Sequence, residues 1–229
     1  MAASIRYRGV TPKSAWSMLC DEQEQQSSSS TRLPLHLVDH PSFPLHLGVN
    51  AIAGPAGSGK TQLCLSLYLS KIFVNWVRNQ DDLLHMLRYG LPKLLKEHPS
   101  ISLVVLDGIA TLFRGKDDNC TSYWVDRSAK FFQIASQSQK LSFGHQVPFL
   151  FTNEATSKLL TNNSGLLAST SRLEPALGLS WAQCINSSFF VQRRYQSSTR
   201  VLKCIKSPHM ASNRSAEFAI ESRGIVRIQ

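Results

Sequence analysis

The 229-residue sequence has no run of 18 or more apolar residues, so it offers no helical membrane span. Met1–Val10 carries no apolar stretch of the kind a secretory signal needs, so export is not expected. Cysteines are few and odd in number (Cys20, Cys64, Cys120, Cys184 and Cys204), and no two are three apart. That argues against a disulfide framework or a zinc site and suits a reducing compartment. His36, His40 and His46 share one loop-like stretch with no cluster of carboxylates or cysteines, so no metal site is expected there. Acidic residues are scarce too, 15 against 25 Lys and Arg, leaving a formal net charge of +10. Over half of that excess lies beyond Phe190, where eight Lys and Arg face only Glu217 and Glu221. Such a region suits an anionic partner, nucleic acid above all, or is a solvated basic surface.

What is present is enough for one sizeable α/β domain and too little for two. Residues 1–41 read as a poorly ordered segment, because Glu24–Thr31 is polar with no apolar period. Residues 42–229 read as the core. Val49–Ala53 is a short apolar strand, followed by a helix from Lys60 to about Ser70 and a second strand over Ile72–Val77. Asp81–Glu97 has helical periodicity interrupted by Gly90 and Pro92. Then come a strand at Ile101–Leu106, an amphipathic helix over Ser122–Leu141 and a strand at Val147–Thr152. The Ser-, Thr- and Asn-rich Asn153–Glu174 reads as a mobile loop, and Ala176–Ile185 as a short helix. Phe189–Gln192, Arg200–Ile205, Ala216–Ile220 and Ile225–Ile228 read as strands. This order predicts a mostly parallel sheet with helices on both faces and an antiparallel C-terminal extension.

Gly54-Pro55-Ala56-Gly57-Ser58-Gly59-Lys60-Thr61 satisfies G-x-x-x-x-G-K-[ST] at every fixed position, after an apolar strand and before a helix. The chemistry requires that pattern. Gly57 and Gly59 let backbone N–H groups converge on phosphate oxygens, Lys60 reaches the β- and γ-phosphates, and the Thr61 hydroxyl ligates Mg²⁺. Gln62 follows on the same turn. The expected ligand is ATP with Mg²⁺. Leu103-Val-Val-Leu-Asp107, a strand ending in a carboxylate, is the natural partner, with Asp107 holding the metal through water.

Beyond these generic features, three stretches resemble the recombinase branch of the RecA-like ATPases: Gly59–Leu65, Leu103–Arg114 and Pro175–Ala182. Phe113-Arg114 and Ser207-Pro208-His209 look most like the DNA-repair paralogues of the X-ray repair cross-complementing type, and Asn186–Val191 like plant members. The resemblance covers about Leu45 to the C-terminus. It implies a RecA-like P-loop core and a nuclear protein of homologous recombination. Such a protein binds ATP and single-stranded or branched DNA, pairs with a sister paralogue and assists the main recombinase. Phe113–Tyr123 matches the first DNA-facing loop, with Arg114 and Lys116 offered to phosphates. Ala155–Glu174 matches the second, with Lys158 and Arg172. Ser207-Pro208 matches the segment that caps ATP across a subunit interface.

Against the family pattern, the small N-terminal helical domain and its Phe/Ala interface motif are not seen. Between Ser70 and Lys71 one β-α unit is absent, and with it the glutamate that polarises the attacking water, so weak or no hydrolysis is expected. Ile72–Val77 is expected in the vacated place beside the Asp107 strand, bringing Asn75 or Asn79 near the lost glutamate's position. Glu154 stands where the family has a γ-phosphate-sensing glutamine, and is the candidate replacement base beside Lys60 and Asp107. The alternatives are a P-loop nucleoside or small-molecule kinase, for which Arg78 and Arg88 form no lid pattern, and a non-functional shortened product.

Overall fold

In the computed structural model, which describes residues 2–7, 35–37, 43–67, 71–114, 121–161, 167–194, 197–222 and 224–228, the elements assemble around one ten-stranded sheet. The strands are β1 (Ala2–Tyr7), β2 (Leu35–His36), β3 (Pro44–Leu45), β4 (Val49–Gly54), β5 (Lys71–Trp76) and β6 (Ile101–Asp107). They continue with β7 (Phe149–Thr161), β8 (Leu167–Pro175), β9 (Ser187–Arg193), β10 (Arg200–Lys206), β11 (Ser215–Glu221) and β12 (Gly224–Arg227). The helices are α1 (Lys60–Ser66), α2 (Gln80–His85), α3 (Leu91–Glu97), α4 (Thr121–His145) and α5 (Gly178–Cys184). The sheet runs β12-β11-β10-β9-β4-β7-β6-β1-β5, with β8 pairing β7 off this path, while β2 and β3 form a separate small ribbon.

The parallel centre is β6-β7-β4-β9. Its strands read as near-continuous apolar runs because both faces are covered. Along β6 the side chains alternate between two cores. Val104 and Leu106 join Leu83, Leu87, Leu91, Phe131, Ile134 and Trp181 from the helices on one side. Leu103 and Val105 join Leu63 and Cys64 of α1, with Phe189, Leu202 and Phe218, on the other. Trp181 is the largest fully buried side chain and meets Phe131 and Phe151 edge-on, with ring centroids 5.5 and 5.2 Å away. Expected strands 9 to 12 are all present and antiparallel to their neighbours within that extension.

Asn79 starts α2, its side chain accepting from the Asp82 N–H at 2.8 Å. The interruption expected at Gly90 and Pro92 takes the form of a π-turn over Met86–Gly90, joining α2 to α3. The wider turn accommodates a proline that has no N–H to give and whose ring crowds the preceding turn.

Two expectations are corrected by non-local pairing. Ile72–Val77 does not lie beside β6: β1 lies between them, antiparallel to both, with Ala3 opposite Asn75 on one side and Leu106 on the other. A strand from the N-terminal segment takes the place beside β6, so that segment is not irregular over Ala2–Tyr7, nor at Leu35–His36. Asn75 is turned to Met86, its Nδ2 3.0 Å from the sulfur, and Asn79 is a helix cap, so neither serves the Asp107 strand. The second correction concerns Asn153–Glu174. Instead of a mobile loop, β7 continues through Thr161 and pairs with β8 as a hairpin, Lys158 opposite Arg172. Its threonines and leucines favour the pleat.

Candidate functional site

The phosphate loop lies at the C-terminal end of β4. Gly57 and Gly59 have φ of +70° and +98°, the left-handed region that the curl of the loop demands and that only glycine enters without cost. Gly54 is fixed for a different reason. A Cβ there would lie 2.2 Å from the Val191 carbonyl oxygen of β9 and 2.8 Å from Ser58 Oγ. Pro55 precedes the exposed turn of Ala56 and Gly57, and the Ser58 hydroxyl is enclosed without a hydrogen-bond partner. Lys60 opens α1 and folds its ammonium back over the loop, donating to the carbonyls of Gly54 at 2.8 Å and Pro55 at 2.9 Å. Gln62 is exposed on the same helix.

Strand order brings the remaining residues to this end of the sheet. Asp107 ends β6, and its Oδ2 accepts from Thr61 Oγ1 at 2.8 Å. Its Oδ1 accepts from Thr152 Oγ1, and that hydroxyl in turn accepts the Gly108 N–H at 2.6 Å. Glu154 lies opposite Gly54 in the parallel register and forms an ion pair with Arg114, just beyond the short 3₁₀ turn Ile109–Phe113 that follows β6. Burial lowers the Lys60 pKa below its usual value, an effect that Glu154 and then Asp107 partly offset. The hydroxyl-and-carboxylate set of Thr61 and Asp107 offers hard oxygen donors, which fit Mg²⁺. The converging loop, with its partnerless Ser58 hydroxyl, fits a polyphosphate.

The expected residues therefore divide. Gly54–Gln62, Asp107, Glu154 and Arg114 come together. Lys158 and Arg172 lie further along the β7–β8 hairpin, opposed in register. Lys116 lies outside the described residues. Ser207 is near Ser187, at the other end of β9 from the loop, and His209 stacks on His46 with centroids 3.8 Å apart. Two residues escaped the sequence reading. Thr152 was legible in principle, as a hydroxyl at the end of a strand leading to Glu154. Arg200 was not: it approaches Gly59 from β10, its Nε 3.1 Å from where a Cβ would stand, a contact set by the antiparallel extension.

Comparison with known proteins adds family context. The Rad51 family model matches residues 68–228 and so begins beyond the phosphate loop. The DNA repair protein XRCC3 homolog of Arabidopsis thaliana is 30% identical over 189 residues, covering 69% of this chain and 62% of that protein. DNA repair protein XRCC3 of Bos taurus is 25% identical over 161 residues, covering 68% and 46%. DNA repair protein RAD51 homolog 3 of Cricetulus griseus is 29% identical over 156 residues, covering 68% and 38%. The chain thus spans between 38% and 62% of these relatives' lengths. The crystal structure of the RadB recombinase superposes with a TM-score of 0.52 at 14% identity, covering 81% of this chain and 93% of that one, a likeness of fold.

Proposed function

This chain belongs to the Rad51 family, and on that premise we propose that it is an ATP-binding recombinase paralogue of homologous-recombination DNA repair. The observation that carries the reading is the 2.8 Å hydrogen bond from Thr61 to Asp107, which joins the phosphate loop to the carboxylate strand across 46 residues. ATP would lie in the loop of Gly54–Thr61, with the N–H groups of that loop and Lys60 on its phosphates and Gln62 alongside. Thr61 and Asp107 would hold Mg²⁺, which neutralises phosphate charge when bound. Thr152 bonds one oxygen of Asp107 and leaves the other to face Thr61.

Turnover in this reading is weak or absent. Ala2, which carries no proton acceptor, lies opposite Asp107 on β1. Glu154, the other carboxylate near Lys60, is engaged by the Arg114 guanidinium instead of being free to orient a water. ATP then acts as a ligand whose binding stabilises one conformation and an assembly, rather than as fuel. The proposed partners are single-stranded or branched DNA, a sister paralogue and the main recombinase, in the nucleus. Arg114 and the hairpin bearing Lys158 and Arg172 are the proposed DNA contacts, together with Lys116. The relatives' descriptions as DNA repair proteins support this reading.

The test is ATP binding and hydrolysis by purified wild type and Lys60→Ala, with and without single-stranded DNA. Binding lost in the variant, with turnover near background throughout, is the expected result. Brisk DNA-stimulated turnover would refute the non-hydrolytic reading and point to Glu154 as a base.

A further inference from the structure

We propose that the outer face of α4 is a self-association surface, on which a second copy of this chain lays its own α4 in the antiparallel direction. The helix is apolar on two sides. On one, Phe131, Ile134 and Ala135 pack into the core, and the buried Ser142 hydroxyl accepts the Gly48 N–H at 2.7 Å. These contacts fix how the helix is rotated. On the other, Val125, Phe132 and Phe143 stay 63%, 53% and 54% exposed. Scattered apolar residues on a surface are ordinary. Three along one stripe of a helix whose core face is already filled call for a partner.

Spacing identifies that partner. Val125, Ala129, Phe132, Ser136, Gln139 and Phe143 recur at steps of four, three, four, three and four, the a/d repeat of a two-helix seam. From Val125 to Phe143 the seam is roughly 27 Å long at 1.5 Å per residue. Two copies laid antiparallel bring each a position against a d position. Val125 then meets Phe143 of the second copy, Ala129 meets Gln139, and Phe132 meets Ser136. Each phenylalanine lies against a smaller residue, so the layers fill evenly. A parallel pair would set Phe132 on Phe132 and Ser136 on Ser136, crowding one layer and emptying the next.

Charge selects the same direction. Asp126 and Lys140 flank the two ends of the seam at equivalent e positions, and both are exposed. Neither forms an ion pair among the described residues. In the antiparallel pair Asp126 of each copy faces Lys140 of the other, once at each end. In a parallel pair the two would be separated along the axis by roughly 20 Å. An unrelated helix need match neither the layers nor the charges, whereas this chain's own α4 matches both. One helix pair buries less than the roughly 1,200–2,000 Å² of a standard interface, so the dimer is weak and depends on concentration. The inference is independent of the ATP- and DNA-binding reading.

Sedimentation velocity of the full chain over a concentration series, with neither nucleotide nor DNA, tests it. Wild type should pass from monomer to dimer as concentration rises. Phe132→Glu should keep the wild-type thermal melt and lose the dimer. Asp126→Lys and Lys140→Asp each set like charges opposite one another at both ends, and each alone should weaken the dimer about tenfold at low salt. Mixing these two variants restores opposite charges at both ends and should return the wild-type affinity. A monomer at every concentration, a dimer indifferent to Phe132→Glu, or charge variants that dimerise as well alone as when mixed would each overturn the proposal.

Discussion

Thr61 donates its hydroxyl to Asp107 across 2.8 Å, so the two expected metal ligands already face one another. Replacing Thr61 by Ala removes one oxygen donor while leaving the carboxylate in place. Affinity for ATP with Mg²⁺ should fall about tenfold, roughly 1.4 kcal/mol, whereas affinity measured with excess chelator should change little. Isothermal titration in both conditions checks this. Equal losses with and without metal would remove Thr61 from the metal site.

Lys60 makes stability and ligand affinity move in opposite directions with pH. Burial depresses its pKa in the folded protein below the usual 10.5. Between the depressed and the usual value the unfolded chain holds a proton that the folded chain has released, so stability rises with pH through that window. In the same window the neutral amine no longer attracts phosphate, so ATP affinity falls. Thermal melts and nucleotide titrations from neutrality to pH 10.5 should show both trends in wild type and neither in Lys60→Met.

The loop glycines should rank by what a methyl group would strike. At Gly57, with φ +70° and nothing within 4 Å, alanine costs only the left-handed strain, about 1 kcal/mol. At Gly59 the added atom would lie 2.5 Å from Ile220 Cδ1, which can swing aside at some further cost. At Gly54 it meets the Val191 carbonyl at 2.2 Å, part of the neighbouring strand, and β4 must move away from β9. Denaturant midpoints should therefore fall in the order Gly57→Ala, Gly59→Ala, Gly54→Ala, the last unfolding most easily. A Gly54→Ala protein as stable as Gly57→Ala would contradict the packing.

Arg114 is paired with Glu154, and in the proposed DNA-binding role it would be shared with any phosphate that approaches it. Glu154→Gln releases the guanidinium, and single-stranded DNA affinity without nucleotide should rise a few-fold. Arg114→Ala should weaken binding and reduce the slope of log affinity against log salt by about 0.7, the value for one contact on a single strand. A salt series by anisotropy distinguishes the two. An unchanged slope in Arg114→Ala would mean that this residue serves Glu154 alone.

The sequence was most informative where structure is local. Gly54–Thr61 was legible because curl, charge and hydroxyl lie within eight consecutive residues, and the strand ending at Asp107 because its carboxylate directly follows its apolar run. Gly90 and Pro92 announced an interruption, although not its π form. What stayed hidden depends on distant partners. Nothing in Ala2–Tyr7 names β5 and β6 as neighbours, and Arg200 reaches Gly59 only through the strand order. The β7–β8 hairpin was obscured because its serines, threonines and asparagines suit loops as well as an exposed ribbon.

The insertion of β1 between β5 and β6 has a consequence for how the chain is made. Tyr7 pairs with Ile101, and Ala2 with Asp107, so this strand emerges about 100 residues before its second partner. At roughly 5–20 residues per second, it waits about 5–20 s with the backbone donors and acceptors of its β6-facing edge unclaimed. Contacts of such long sequence separation close slowly, while an unpaired strand invites pairing with other chains. Yield of soluble protein should therefore depend on translation speed and chaperones more than the parallel centre of the sheet alone would require.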